Sequence, residues 1–118
     1  MEQVLNKRDI VLLPFPFTDG SGAKRRPALV MSLESFNKSS QDVIVCGMSA
    51  FNSGEERIIA VKKEDWEKGL WSESYVKPSY IAAVDKRVII QKIGRLSKER
   101  HAEVLSALLT ILGAGNNE

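Results

Sequence analysis

The stretch DIVLLPFPFTDGSGAKRRPALVMS, residues 9–32, decides the fold. Its apolar run at residues 9–17 is rich in strand-forming residues and predicts a first strand, which should fray at Pro14 because proline cannot donate a ladder hydrogen bond. Residues 18–24 are dense in turn formers, including Gly20 and Gly22, and predict a loop that ends on basic residues. Residues 27–32 predict a second apolar strand. The stretch therefore indicates two strands separated by a glycine-bearing loop.

More short strands follow at close spacing, and one helix comes last. Strands are predicted at residues 42–50, 57–61, 74–77, 81–84 and 87–93. Residues 37–41 should form a polar connection, and residues 62–68 a single helical turn. Ser97 can cap a final helix, whose apolar residues recur at three- and four-residue steps until Gly113. This order predicts a mainly β fold, a strongly curved sheet or β-barrel with a C-terminal helix packed against it.

Length and composition predict one domain over residues 1–118. The hydrophobic fraction of 43% is ordinary for a globular core, and the net charge of +2 requires any basic site to be local. A single cysteine, Cys46, excludes an internal disulfide and fits a reducing cytoplasm. No segment approaches the ~20 apolar residues that cross a bilayer. We therefore expect a soluble cytoplasmic protein without membrane attachment.

Several familiar catalytic sites cannot be built from these residues. His101 is the only histidine, which argues against a histidine-pair nuclease, a Ser-His-Asp hydrolase and a histidine-rich metal centre. The segment from Gly20 to Gly22 lacks the third glycine and the following helix of a phosphate-binding loop. No metal or other cofactor is therefore expected.

The sequence resembles MazF/PemK-type toxins. The most recognisable feature is the pair Arg26-Pro27 entering an apolar strand, and the similarity continues through residues 43–50, 69–70, 74–76, 84–86 and 92–96. The resemblance implies an SH3-like barrel of the MazF/PemK/CcdB-like kind that forms a homodimer. It also implies an endoribonuclease toxin of a type II toxin-antitoxin system. Such a toxin cleaves single-stranded RNA without a metal, leaves 2′,3′-cyclic phosphate and 5′-hydroxyl ends, and is inhibited by a cognate antitoxin.

The same resemblance assigns catalytic roles to Arg26 and Ser49, which match the family's essential arginine and threonine. Attack by a ribose 2′-oxygen builds negative charge on phosphate oxygens, and a guanidinium can meet that charge with two hydrogen bonds. Serine keeps the threonine hydroxyl but loses the methyl group that stiffens it. By residue type alone, Arg26 would be a surface ion-pair residue and Ser49 a strand-end serine bonded to backbone.

Five more residues are candidate RNA-binding residues. Lys24 and Arg25 could contact the phosphate backbone, while the rings of Phe17 and Trp71 could stack on bases, as is usual for single-stranded RNA. Asp85 could accept a proton at the site. The alternatives are burial in the core or in a dimer interface for the rings, and a turn or ion-pair role for Asp85.

Two other functions stay open. Ser49 replaces the family threonine, and Ala82-Ala83 stands where many members carry polar residues, so a non-catalytic RNA-binding barrel is one alternative. A gyrase-targeting toxin of related fold is another. That group relies on a Trp-Gly-Ile ending, whereas residues 113–118 read GAGNNE, which argues against it.

Overall fold

The computed structural model describes residues 4–16, 23–54, 57–69 and 72–115. Within these ranges the strands are β1 (Asp9–Pro16), β2 (Ala23–Val30), β3 (Asp42–Ser49), β4 (Ile59–Val61), β5 (Trp66–Lys68), β6 (Ser74–Asp85) and β7 (Gln91–Leu96). The α-helices are α1 (Glu34–Ser39) and α2 (Lys98–Ile111), and short 3-10 turns cover Lys63–Asp65 and Lys86–Val88. None of these helices is long and apolar enough to span a membrane.

The strands form one antiparallel sheet in the order β4-β6-β3-β2-β1-β7-β5. The sheet curls into a nearly closed barrel, and α2 packs beside it. This confirms the predicted mainly β barrel with a C-terminal helix.

Two clusters of buried side chains use opposite faces of the strands, because successive residues of a strand point to opposite sides. The first core cluster draws on six strands and α2, and comprises Ile10, Leu29, Met31, Cys46, Met48, Ile59, Val61, Val76, Leu96, Val104 and Leu108. The second core cluster lies on the other face of β1, β2 and β3, and comprises Leu5, Val11, Leu13, Ala28, Val30, Val43 and Val45. Only the first cluster includes residues of α2.

The thiol of Cys46 is fully buried within the first core cluster. Its Sγ donates to the backbone oxygen of Pro78 on β6 at 3.6 Å. Desolvation by this burial raises the pKa of the thiol to about 12. The thiol therefore stays protonated at neutral pH and acts as a small apolar side chain.

The first turn of α2 is fixed to the barrel through Asp65. One carboxylate oxygen of Asp65 accepts from Lys62 N at 2.8 Å and from Arg100 Nε at 3.0 Å. Ser97 caps the helix, since its hydroxyl accepts from Arg100 N at 3.2 Å, which confirms the predicted cap. One turn on, His101 Nε2 lies 3.1 Å from Val30 O.

The contact between β5 and β7 needs two glycines. A Cβ atom on Gly94 would overlap the ring of Trp66 and lie 2.8 Å from Lys68 O. A Cβ atom on Gly69 would overlap Ile93 O, and Gly69 also has a φ of +92°. At Gly69 both the backbone conformation and the close approach disfavour a side chain, and at Gly94 the close approach alone does so.

Four strand predictions need correction. The second strand, predicted at residues 27–32 after a loop that ends at Lys24, begins four residues earlier and spans Ala23–Val30. β1 does not fray at Pro14 but continues to Pro16, since the pairing with β2 includes Pro14↔Arg25. The two strands predicted around residues 78–79 are one strand, β6, which absorbs Pro78 at an irregularity in its pairing with β3. The last strand begins at Gln91, after a 3-10 turn, and passes through Gly94.

Two elements were not predicted. Helix α1 replaces much of the polar connection expected at residues 37–41, and the buried amide of Asn37 donates to Leu5 O and Ser32 O. The segment 62–68 contains the expected turn, but it then continues into β5, which pairs with β7. Both elements depend on contacts with distant parts of the chain.

Candidate functional site

The register of β2 and β3 brings Arg26 and Ser49 to the same end of the sheet. The two strands pair from Val30↔Val45 to Ala28↔Gly47. If this register is continued by two residues, Arg26 stands opposite Ser49. The pairing stops at Pro27, which has no N–H to extend the ladder. Arg26 and Ser49 therefore flank the point where the paired region of β2 and β3 ends.

Neighbouring strands extend this arrangement into a row. Arg26 is paired with Leu13 of β1, and Ser49 is paired with Tyr75 of β6. Directly opposed residues of antiparallel strands share a face. Because Leu13 belongs to the second core cluster, the row lies on that face of the sheet and not on the face covered by α2. We call Arg26, Ser49 and Tyr75 the site row.

The three basic residues of β2 are arranged differently. Arg26 is half-buried, and its neighbour Arg25 is exposed and opposite Pro14. Strand alternation turns Arg25 to the face opposite Arg26. Lys24 lies on β2 opposite Phe15, and its side chain is outside the described atoms. Of the three, Arg26 is the residue that belongs to the site row.

The hydroxyl of Ser49 is buried and already hydrogen-bonded. Ser49 is 5% exposed, and its Oγ donates to Phe51 O at 3.0 Å and accepts from Phe51 N at 3.2 Å. These bonds are those of a strand-end serine turn, which was the alternative for this residue. They also fix the oxygen in one place. A substrate oxygen could accept the hydrogen bond from this hydroxyl in place of Phe51 O, while the bond from Phe51 N is kept.

Asp85 is not part of the site row. It pairs with Asp42, whereas Ser49 lies seven residues further along β3, about 23 Å away. The side chain and backbone N–H of Arg87 donate to Asp85, with Arg87 Nη2 at 2.8 Å from Oδ2. These hydrogen bonds lower the pKa of the Asp85 carboxyl to about 2. Its local contacts are those of a turn residue in an ion pair.

The sequence indicated Phe17 and Trp71 as rings that could stack on bases, and this stays a prediction. Phe17 and Trp71 lie outside the described residues. Tyr75 is opposite Ser49, and Tyr80 lies further along β6 with Lys77 over its ring. The sequence could have indicated these tyrosines only if the register of β6 against β3 had been known.

The described residues contain no group of three or more His, Cys, Asp or Glu side chains that could hold a metal ion. The groups of the site row are instead a guanidinium, a hydroxyl and a phenol ring. A guanidinium and a hydroxyl can donate hydrogen bonds to an oxyanion such as a phosphate. The row is therefore suited to charge stabilisation.

The comparisons agree with this architecture. Residues 6–112 match the family described as PemK-like, MazF-like toxin of type II toxin-antitoxin system. The comparison with curated proteins found no match.

Solved structures share the fold at low sequence identity. The crystal structure of MazF from Deinococcus radiodurans is 22% identical, with a TM-score of 0.78 over 95% of this chain and 99% of that one. An endoribonuclease from Mycobacterial species is 16% identical, with a TM-score of 0.75 over 96% and 95%. An endoribonuclease in complex with its cognate antitoxin, also from Mycobacterial species, is 18% identical, with a TM-score of 0.72 over 92% and 95%. With the match extending over residues 6–112, the chain belongs to the PemK-like, MazF-like toxins of type II toxin-antitoxin systems.

Proposed function

We propose that this protein is an endoribonuclease toxin that cleaves single-stranded RNA in the cytoplasm, with Arg26 and Ser49 as its catalytic residues. The observation that carries the proposal is the site row, in which a half-buried guanidinium and a fixed hydroxyl share one face at the end of the β2–β3 pairing. Family membership and the endoribonuclease names of two solved structures support the same activity.

The reaction we propose is an internal transfer at phosphorus. The ribose 2′-oxygen loses its proton and attacks the adjacent phosphorus, the bond to the 5′-oxygen breaks, and that oxygen gains a proton. The products are a 2′,3′-cyclic phosphate and a 5′-hydroxyl, and no metal is required. Arg26 donates hydrogen bonds to the nonbridging oxygens as their charge grows. Ser49 donates a hydrogen bond to a phosphate oxygen or orients the 2′-hydroxyl.

The other basic residues of β2 have a lesser part in this proposal. Lys24 precedes Arg26 by two residues and is proposed to contact the RNA backbone next to the cleaved bond. Arg25 lies on the other face of β2. It could contact only an RNA strand that wraps around the sheet to that face. Asp85 lies too far from Ser49 to exchange a proton with the same phosphate.

A variant of Arg26 tests the function directly. Arg26→Ala should lose cleavage about a hundredfold or more, as expected when one charge-stabilising donor is removed. Arg26→Lys should recover only part of it, because an ammonium lacks the planar pair of donors. Arg87→Ala, which removes an exposed arginine at the far end of β6, is the matched control and should cleave normally.

The assay is fragment formation from a mixed-sequence single-stranded RNA in the presence of a chelator. Full activity of Arg26→Ala would reject the proposed site, and loss of wild-type activity with chelator alone would reject the metal-free reaction. RNA binding without any fragments would favour the non-catalytic RNA-binding barrel.

We further propose two protein partners. A cognate antitoxin is supported by the solved complexes of related fold, including the endoribonuclease with its antitoxin. A second copy of the chain is supported by an exposed apolar stripe formed by Leu105 and Leu109 of α2 and by Leu112, the residue that caps its end. Sedimentation at tens of micromolar should give a dimer, and a monomer at that concentration would contradict the homodimer.

A further inference from the structure

Lys77 is a buried cation beside the site row. Its side chain and backbone together are only 8% exposed, although lysine is rarely buried in proteins. It follows Val76, which packs in the first core cluster, and comes two residues after Tyr75, the partner of Ser49. Lys77 is therefore the first residue of β6 after the part of the strand that carries the site row.

The strand β6 bulges at this position. Val76 pairs with Met48 and Ile81 pairs with Cys46, so four residues of β6, 77–80, oppose the single residue Gly47 of β3. Extra residues in one strand re-aim side chains, and such bulges are frequent next to active sites. We call residues 77–80 the β6 bulge.

The ammonium group of Lys77 lies over an aromatic ring of the β6 bulge. Lys77 Nζ lies 4.7 Å from the centroid of the Tyr80 ring, within the range of a cation–π contact. An ammonium shielded from water interacts more strongly with an anion than an exposed one does, because the local dielectric is lower. Lys77 is a shielded cation about 7 Å along the strand from Tyr75, the partner of Ser49, which is the spacing of a neighbouring phosphate.

We propose that Lys77 binds an RNA backbone phosphate adjacent to the cleaved linkage, with the Tyr80 ring holding its ammonium in position. This inference rests on the proposed function, because it assigns a second phosphate of the same RNA strand to the part of β6 next to the site row. Lys77 contributes to binding both before and during the reaction, so its loss raises KM and leaves kcat largely unchanged.

The test measures binding without cleavage. Single-stranded RNA carrying 2′-O-methyl groups cannot form a cyclic phosphate, and its affinity is measured between 50 and 200 mM salt. For single strands, each neutralised phosphate contributes about 0.7 to the slope of log affinity against log salt. Lys77→Met should lower that slope by about 0.7 and weaken binding about tenfold, the loss expected for one hydrogen bond to a charged group.

Matched variants separate phosphate binding from a structural role. Lys38→Met removes one charge from the exposed face of α1, where Lys38 pairs with Glu34, and should leave the slope unchanged. Lys77→Arg should restore the slope, and Tyr80→Phe should keep it because the ring remains. Tyr80→Leu should weaken binding, while thermal melting checks that each variant is folded.

The outcomes distinguish this inference from the proposed function. If wild-type protein cleaves RNA but Lys77→Met shows the slope and KM of Lys38→Met, the role of Lys77 is wrong and the function stands. If Lys77→Met is less stable, and Lys77→Arg is folded but binds no better, Lys77 is structural and the inference is again wrong. If wild-type protein neither binds nor cleaves single-stranded RNA, both are wrong.

Discussion

Replacing Ser49 by alanine should separate catalysis from stability. The change removes one oxygen, together with its two hydrogen bonds to the backbone of Phe51 at 3.0 and 3.2 Å. A protein hydrogen bond contributes about 1 kcal/mol net. Phe51 is 64% exposed, so water can replace Oγ as a partner of its backbone groups. The net loss of stability should therefore be about 1 kcal/mol, which lowers the melting temperature by about 4 °C.

The expected catalytic effect is larger than the structural one. If Ser49 donates to an oxygen that becomes more negative in the transition state, its loss costs about a hundredfold in cleavage rate, or about 2.7 kcal/mol. A loss of about 1 kcal/mol in stability leaves a domain with 5–15 kcal/mol almost entirely folded. Ser49→Thr keeps the oxygen and restores the branch that restricts the side chain. Its rate should equal or exceed that of the wild type.

The assay is single-turnover fragment formation, measured beside thermal melting of the same samples. Ser39→Ala is the matched control, because the Ser39 hydroxyl also bonds to backbone, donating to Ser35 O at 3.1 Å and Phe36 O at 3.2 Å. It should melt close to the wild type, because Ser39 is exposed and alanine favours the helix, and it should cleave normally. A wild-type rate in Ser49→Ala, or an equal loss of rate in Ser39→Ala, would refute the catalytic role of Ser49.

Three more predictions concern the fold. Burial lowers the pKa of His101 below its ordinary value, so the folded state favours the neutral ring and stability should fall as the pH drops below about 6.5. Denaturant titrations from pH 8 to 5 should therefore show a flatter dependence of stability on pH for His101→Gln than for the wild type. Gly94→Ala should destabilise the protein by about 2 kcal/mol in the same titration, because the added carbon meets the Trp66 ring, and an unchanged midpoint would contradict the close packing of β5 on β7. Val104→Ala should lower the free energy of unfolding by about 2 kcal/mol, because it leaves a cavity in the first core cluster, whereas Val88→Ala at an exposed position should lower it by under about 0.5 kcal/mol. Equal melting temperatures of the two variants would show that α2 is not part of the core.

Local signals explain which elements the sequence could predict. The helix α2 combines a capping serine, Ser97, with apolar residues at helical spacing, and both signals lie within the helix itself. The helix α1 has no side-chain cap and forms where Asn37 reaches Leu5 O, far away in the chain. The strand β5 has three residues and exists through its pairing with β7. Such elements depend on tertiary contacts and not on local pattern.

The candidate site shows the same division. Arg26 and Ser49 could be picked out through resemblance, because each stands in a recognisable local motif. Their position in one row could not be predicted, since it depends on the register between β2 and β3. Lys77 and Tyr80 could not be predicted from the sequence, because the β6 bulge that joins them exists only against β3. Asp85 was a candidate because it matches the family pattern, but it pairs with Asp42, at the opposite end of β3 from Ser49.

The burial of Cys46 gives the molecule a built-in reporter of its own opening. A thiol reagent reacts with the thiolate, and both the high pKa and the surrounding core withhold that form while β3 and β6 remain paired. The labelling rate therefore reports how often these two strands separate. Because Cys46 Sγ donates a hydrogen bond to Pro78 O within the β6 bulge, these openings occur beside the proposed RNA contact. An occupied site would slow the labelling, so one native atom can follow both local stability and ligand binding without any added probe.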